Sequence, residues 1–98
     1  MTIVRGEGAW AWDAAQLEWF GNEIDIIDQG RLQRIDRLVK RRDTGHWWVL
    51  DYKSQAHPET DASLCLQLKG YQSAVQKAYA GETVRCAFLT AQGHCIEL

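Results

Sequence analysis

The sequence predicts an α/β fold, bordering on α+β, built as one mixed sheet with a helix packed on one face. Three observations predict it. Runs of β-branched and aromatic residues fill the first half of the chain, an amphipathic helical pattern follows, and two short apolar runs, residues 84–90 and 94–98, come last. This order gives an antiparallel three-strand meander, a helix and two further strands, with parallel pairing allowed between strands three and four. A chain of 98 residues with 46% hydrophobic residues is expected to form a single domain over residues 1–98.

The meander is predicted from three apolar runs and the turns between them. Residues 22–27 form the first strand, and residues 32–39 form the second. Residues 28–30 form the turn between them, in which glycine supplies a positive φ. The third strand is Trp47–Lys53. Residues 1–20 are expected to be an irregular lead-in or a short helix, and the alternative for residues 9–20 is a short helix followed by a strand.

The helical pattern covers residues 63–80. Its buried stripe follows the i, i+4, i+7 spacing and comprises Leu64, Leu68, Tyr71, Val75 and Ala78. Asp61 or Ser63 can cap its start, and Gly81 ends it. Gly70 lies inside the helix and lowers helix propensity, so we expect close packing or close approach of a substrate there.

The composition excludes several classes of protein. No apolar run is long enough to span a membrane, and the first residues lack the regions of a signal peptide. The three cysteines are odd in number and show no C-x-x-C spacing, which argues against a disulfide framework or a zinc site and favours a reducing, cytoplasmic setting. The net charge of −2 argues against a free-standing, high-affinity nucleic-acid binder.

The distribution of charge is more informative than its sum. Residues 1–30 contain six acids and a single arginine, whereas half of residues 31–42 are basic. That basic block surrounds Asp36 and would suit a polyanionic substrate held to a metal. The alternative is a solvated edge strand that uses charge against aggregation.

Two aspartates are predicted to face each other in the second hairpin. If its turn centres on Asp43 and Thr44, Asp36 lies opposite Asp51. The side-chain period of two places Asp51 and Lys53 on one face of the sheet. Like charges directly opposite destabilise a sheet. A divalent cation bound between the two carboxylates would explain why the chain places them there.

These residues predict a site that hydrolyses phosphodiesters. Asp36 and Asp51 would hold Mg²⁺ or Mn²⁺, hard cations that prefer oxygen ligands. Lys53 could position the attacking water or stabilise charge that builds on a phosphate. Gln67 and Tyr71 share one face of the helix and could reach the same site from above the sheet.

Structural roles are the alternatives for the same residues. The two aspartates could be surface carboxylates paired with Arg34 and Arg37. Lys53 could be an ordinary lysine at the end of a strand, and the buried stripe of the helix, taken alone, favours a core role for Tyr71 over a site role.

The order of these motifs resembles that of a known family. Residues 30–39, 48–54 and 67–71 are similar to the RecB-like nuclease domain of the PD-(D/E)XK superfamily. This domain ends bacterial AddA- and RecB-type helicase–nucleases, including exonuclease V beta subunits. The resemblance covers residues 23–98 approximately. It implies a restriction-endonuclease-like sheet and a Mg²⁺-dependent DNA exonuclease or endonuclease that acts in DNA repair and recombination, with DNA and helicase domains or a helicase subunit as partners.

The resemblance also implies a role for each candidate residue. Asp36 matches the first metal-binding aspartate of the family, Asp51 matches the second acid, and Lys53 matches the catalytic lysine. Gln67 and Tyr71 match the helix motif beside the site.

One departure from the family concerns a further metal ligand. The family usually takes a histidine or glutamate from an upstream helix, and this chain begins too late for that helix, so Glu7 or Glu18 would have to substitute. We therefore expect part of a larger helicase–nuclease. The alternatives are a non-catalytic module that binds DNA or a partner through an incomplete metal site, and a plain structural domain.

Overall fold

A computed structural model describes residues 6–98 as a five-stranded sheet in the order β1-β2-β3-β4-β5 with one α-helix on it. The elements are β1 (Leu17–Asp28), β2 (Arg31–Arg41), β3 (Trp47–Lys53), α1 (Ala62–Ala78), β4 (Val84–Thr90) and β5 (Cys95–Glu97). Pairing is antiparallel except between β3 and β4, which are parallel because α1 crosses between them. The predicted mixed sheet and element order are confirmed.

The first hairpin is longer than the sequence predicted. β1 begins at Leu17, inside the expected lead-in, and short 3-10 turns precede it at Ala9–Trp12 and Ala14–Gln16. Cross-strand ion pairs such as the one between Glu18 and Lys40, 3.2 Å apart, extend a strand that has little apolar alternation. The hairpin closes through a two-residue turn at Gln29 and Gly30, both with positive φ.

The helix α1 lies on one face of the sheet. Its N-cap is Asp61, whose carboxylate accepts the amide N–H groups of Ser63 and Leu64. From the predicted stripe, the structure buries Leu68, Tyr71 and Val75, whereas Leu64 is half-buried and Ala78 is exposed. This face packs against a core that includes Ile35, Val49 and Phe88. No described helix combines the length and apolar character needed to cross a bilayer.

The opposite face of the sheet is covered by the segment before β1. A second cluster forms there around Val39, Trp48 and Leu50, with Trp10 and Trp12 packed against it. The buried guanidinium of Arg37 fixes this segment. Its Nε and Nη2 donate to the carbonyl oxygen of Ala11 at 2.9 and 2.7 Å, and its Nη1 donates to Asn22 at 2.6 Å. The Arg37 guanidinium also lies over the Trp12 ring.

The side-chain alternation of β2 breaks at Asp36. Val39 and Arg37 contact the cluster opposite α1, so a regular strand would send Ile35 to that face too. Ile35 instead packs in the core beneath α1. Glu23 lies opposite Asp36 in β1, because the residues on either side of it pair with Arg37 and Ile35. Its φ of 50° is rare outside glycine. The outer half of the first hairpin therefore changes face at this point.

Removal of the Arg37 guanidinium should weaken the fold. We expect Arg37→Ala to lower the free energy of unfolding by about 2–4 kcal/mol, because the buried Ala11 carbonyl would lose its donors. Urea denaturation followed by tryptophan fluorescence measures it. Arg42→Ala, which removes an exposed side chain, is the control and should change stability by less than about 0.5 kcal/mol. Equal effects of the two variants would contradict the anchoring role of Arg37.

Candidate active site

The two aspartates lie where β2 and β3 separate. The ladder pairs Arg37 with Leu50, so the next residues outward are Asp36 and Asp51, and the predicted register is confirmed. The backbone N–H of Tyr52, the residue after Asp51, donates to the Asp36 Oδ2 atom at 2.8 Å. A side chain thus takes the donor that a continuing ladder would have used, and this bond orients the Asp36 carboxylate beside Asp51.

Asp51 carries the strongest electrostatic perturbation at this place. Asp51 is only 5% exposed. Its carboxyl pKa is raised to about 6, mainly by burial and also by Asp36, and Lys53 partly offsets this rise. The Lys53 Nζ atom lies 3.2 Å from Asp51 Oδ2. This contact lacks hydrogen-bond geometry, so the buried Oδ2 has no hydrogen-bond partner within residues 6–98.

The two predicted helix residues differ in how they relate to the carboxylates. Tyr71 is buried, and its phenol pKa is raised by burial and then by the negative charges of Asp51 and Asp36. Gln67 lies one turn earlier on α1 and is exposed. The structure therefore brings Tyr71 within electrostatic reach of the two acids and leaves Gln67 at a neighbouring opening.

That opening is a cleft of about 550 Å³ between the start of β2 and α1, which we call the hairpin–helix cleft. One wall is residues 31–33, and the other includes Leu66, Gln67, Gly70 and Tyr71. The expected close packing at Gly70 is wrong, because a Cβ atom added there would meet no atom within 4 Å. Close approach of a substrate at Gly70 stays a prediction.

The interpretation of the aspartates as surface ion pairs is wrong. Arg34 pairs with Asp25 in β1, with 2.9 Å between Nε and Oδ1. Arg37 points to the opposite face of the sheet and donates to a backbone carbonyl and to Asn22. The cation beside the two acids is Lys53, as the spacing in β3 predicted.

The two glutamates considered as further ligands have other partners. Glu7 Oε1 lies 2.9 Å from His94 Nδ1 and also accepts the N–H of Cys95. Glu18 pairs with Lys40, whose ladder partner is Trp47, about 13 Å along β3 from Asp51. Within residues 6–98, no group of three or more His, Cys, Asp or Glu side chains is placed to hold a metal ion.

The donors that are present still fit a hard divalent cation. Asp36 and Asp51 offer carboxylate oxygens, the ligand type that Mg²⁺ and Mn²⁺ prefer. The Asp51 Oδ2 atom has no hydrogen-bond partner within residues 6–98, and the raised pKa of the carboxyl indicates that Lys53, 3.2 Å away, compensates only part of the negative charge. A cation there would supply the missing partner and favour the ionised form.

The sequence did not indicate the residues that support Lys53. Thr90 is buried and lies beside Lys53 in the parallel ladder, and the next N–H, that of Ala91, donates to the Lys53 carbonyl at 3.1 Å. The Thr90 hydroxyl accepts the N–H of His94. The turn after β4 thus fixes the backbone that carries the lysine. The sequence does show that Thr90 is a polar residue at the end of an apolar run. Its position beside Lys53 depends on the register between β3 and β4, which the sequence pattern does not give.

Comparisons with known proteins identify the family of the chain. A family model described as the PD-(D/E)XK nuclease superfamily matches residues 3–95. A search of curated proteins found no significant match.

The raised pKa of Asp51 makes stability depend on pH. A carboxyl whose pKa is about 6 when folded and about 4 when unfolded binds its proton more tightly in the folded state. Its contribution to the free energy of unfolding therefore falls as pH rises from 4 to 6. Without divalent cations, we expect Asp51→Asn to be about 1–2 kcal/mol more stable than the wild type at pH 7, and the difference to vanish near pH 3.

Urea midpoints across this pH range, measured in chelator, provide the test. Asp43→Asn is the control, because Arg41 lowers the pKa of the exposed Asp43 carboxyl and its pH dependence has the opposite sign. A stability difference between wild type and Asp51→Asn that stays constant from pH 3 to 7 would contradict the raised pKa.

Proposed function

The chain belongs to the PD-(D/E)XK nuclease superfamily, and from that membership we propose that it is a DNA nuclease domain that hydrolyses phosphodiester bonds. The superfamily implies DNA as the substrate. The observation that carries the proposal is the grouping of Asp36, Asp51 and Lys53 at the opening between β2 and β3. Two acids placed side by side at this point are costly to the fold, and the single lysine beside Asp51 offsets only part of that cost.

Nucleases of this superfamily generally use divalent metals, and we propose Mg²⁺ here, with Mn²⁺ as a substitute. Asp36 and Asp51 would hold it. When bound, such an ion supplies positive charge for a phosphoryl oxygen and lowers the pKa of a coordinated water. Because Asp36 Oδ2 accepts the Tyr52 N–H, Oδ1 is the oxygen of Asp36 that we propose as the ligand.

Lys53 is proposed as the catalytic cation. Its ammonium lies 3.2 Å from Asp51 Oδ2, so it shares the space that a phosphate at the aspartates would occupy. There it can orient an attacking water or stabilise charge that develops on the phosphate. Tyr71 on α1 lies near enough to the carboxylates for their charges to raise its phenol pKa, and Gln67 lines the hairpin–helix cleft, where we propose that substrate enters.

A more specific context rests on the resemblance to RecB-like domains. The Gln67 and Tyr71 pair on α1, together with the aspartates and the lysine, supports a nuclease domain attached to a helicase, in one chain or as a subunit, that acts in DNA repair and recombination. Three free cysteines, Cys65, Cys86 and Cys95, are compatible with a reducing cytoplasm.

The rival is a non-catalytic module that retains the fold and binds DNA or a partner. One observation favours it: within residues 6–98, no third His, Cys, Asp or Glu joins the aspartates in a metal-binding group. The rival predicts no saturable metal site and no cleavage. The nuclease proposal predicts both.

Cleavage should depend on the acid pair and on the lysine. We expect Asp51→Asn and Lys53→Gln each to lower the cleavage rate of end-labelled linear DNA by at least about 100-fold, because charge at the phosphate would lose its stabilising partner. The assay compares single- and double-stranded DNA with Mg²⁺ or Mn²⁺. Asp43→Asn and Lys69→Gln are charge-matched controls on exposed positions. Cleavage by both site variants at the wild-type rate would overturn the assignment.

Metal binding separates the ligands from the catalytic lysine. In calorimetric titration with Mn²⁺, we expect one saturable site in the wild type that Asp36→Asn and Asp51→Asn remove. Lys53→Gln should bind Mn²⁺ at least as tightly as the wild type, because a competing cation 3.2 Å from Asp51 has gone. Absence of a saturable site in the wild type would favour the non-catalytic module.

A further inference from the structure

The hairpin–helix cleft has features that the metal site does not explain. Leu32 on its β2 wall is 69% exposed, and Leu66 on its α1 wall is 76% exposed. Neither leucine contributes to a described core cluster. Exposed large apolar side chains that line the same opening are typical of a binding groove.

Gly70 keeps the wall of this cleft open. A glycine in the middle of a helix costs stability relative to alanine. The helix does not need it for packing, since an added Cβ would meet no atom within 4 Å, and its backbone lies outside the left-handed region. The missing side chain leaves room in the cleft itself, so an occupant of the cleft would explain the glycine.

The charge and polarity of the cleft identify the class of occupant. Arg31 lies at the rim, exposed, and its side chain has no ion-pair partner within residues 6–98. Gln33 and Gln67 add amide groups that can both donate and accept. The cleft therefore combines one cation, two amides and two exposed leucines. This set fits a nucleotide, which has an anionic phosphate and a base with apolar faces and polar edges.

The cleft also adjoins the candidate active site. Tyr71 lines it, and the same side chain experiences the charges of Asp51 and Asp36. A strand whose phosphate lies at the aspartates would therefore place a neighbouring nucleotide in the cleft. A volume of about 550 Å³ lies in the range of small-molecule pockets and is far too small for a duplex.

We propose that the hairpin–helix cleft is a nucleobase subsite that accepts an unpaired base of the nucleotide next to the cleaved bond. Leu32 and Leu66 contact the faces of the base, Gly70 leaves the space for it, and Arg31 contacts a phosphate. Since apolar contacts to a base face carry little sequence information, binding is tolerant of sequence. This subsite rests on the nuclease function proposed for the adjoining aspartates.

Binding of base-free DNA tests the subsite directly. Fluorescence anisotropy in chelator compares labelled oligothymidylate with an oligonucleotide of the same length built only of abasic sites, so phosphate charge is equal. We expect the wild type to bind the thymidylate at least about ten-fold more tightly. Gly70→Met, which fills the cleft, and Leu66→Asn, which removes one of the exposed leucines, should each lower that ratio by about four-fold or more.

The control is Ser73→Met, which places the same side chain on an exposed face of α1 away from the cleft. It should leave the ratio unchanged. Gly70→Met should also fold at least as stably as the wild type, since methionine is a better helix former and meets no neighbour. Thermal unfolding checks this.

The outcomes separate the subsite from the nuclease proposal. Equal binding of thymidylate and abasic DNA by the wild type, or an unchanged ratio in both cleft variants, overturns the subsite even if Asp51→Asn abolishes cleavage. A base preference that both cleft variants lose supports the subsite even if the wild type does not cleave DNA, in which case only the nuclease proposal fails.

Discussion

The buried carboxylate of Asp51 beside Asp36 is the constraint on which the rest of this structure depends. Two acids at the separation of β2 and β3 repel each other, and burial raises the free energy of the ionised form of Asp51. Lys53, 3.2 Å away, offsets only part of this cost. The strands tolerate it because the parallel ladder with β4 and the bond from Ala91 to the Lys53 carbonyl fix the backbone of β3.

A bend in the first hairpin gives this charge cluster its surroundings. At Asp36 and Glu23, the two strands change the face on which their apolar residues lie. Arg37, the next residue, holds the N-terminal segment to the opposite face through Ala11. Adjacent residues of β2 thus have separate roles. Asp36 belongs to the acid pair, and Arg37 fixes the N-terminal segment on the opposite face of the sheet.

The helix α1 joins stability to the proposed function. Leu68 and Val75 supply part of the buried face, and Tyr71 joins that face while its phenol pKa is raised by the charges of the two carboxylates. Gly70 weakens the same helix without any packing reason in the described chain. Departures of this kind from local stability occur at functional sites, and Gly70 lines the hairpin–helix cleft.

The sequence by itself determined the elements, their order and the facing of Asp36 and Asp51. These follow from local patterns: apolar alternation, helix periodicity, and a turn at Asp43 and Thr44 that fixes the hairpin register. It did not determine the early start of β1, the change of face at Asp36, the buried Arg37 anchor or the position of Thr90 beside Lys53. Only the tertiary structure decided these, because each depends on contacts between segments far apart in the chain, and local pattern carries no information about which distant surfaces meet.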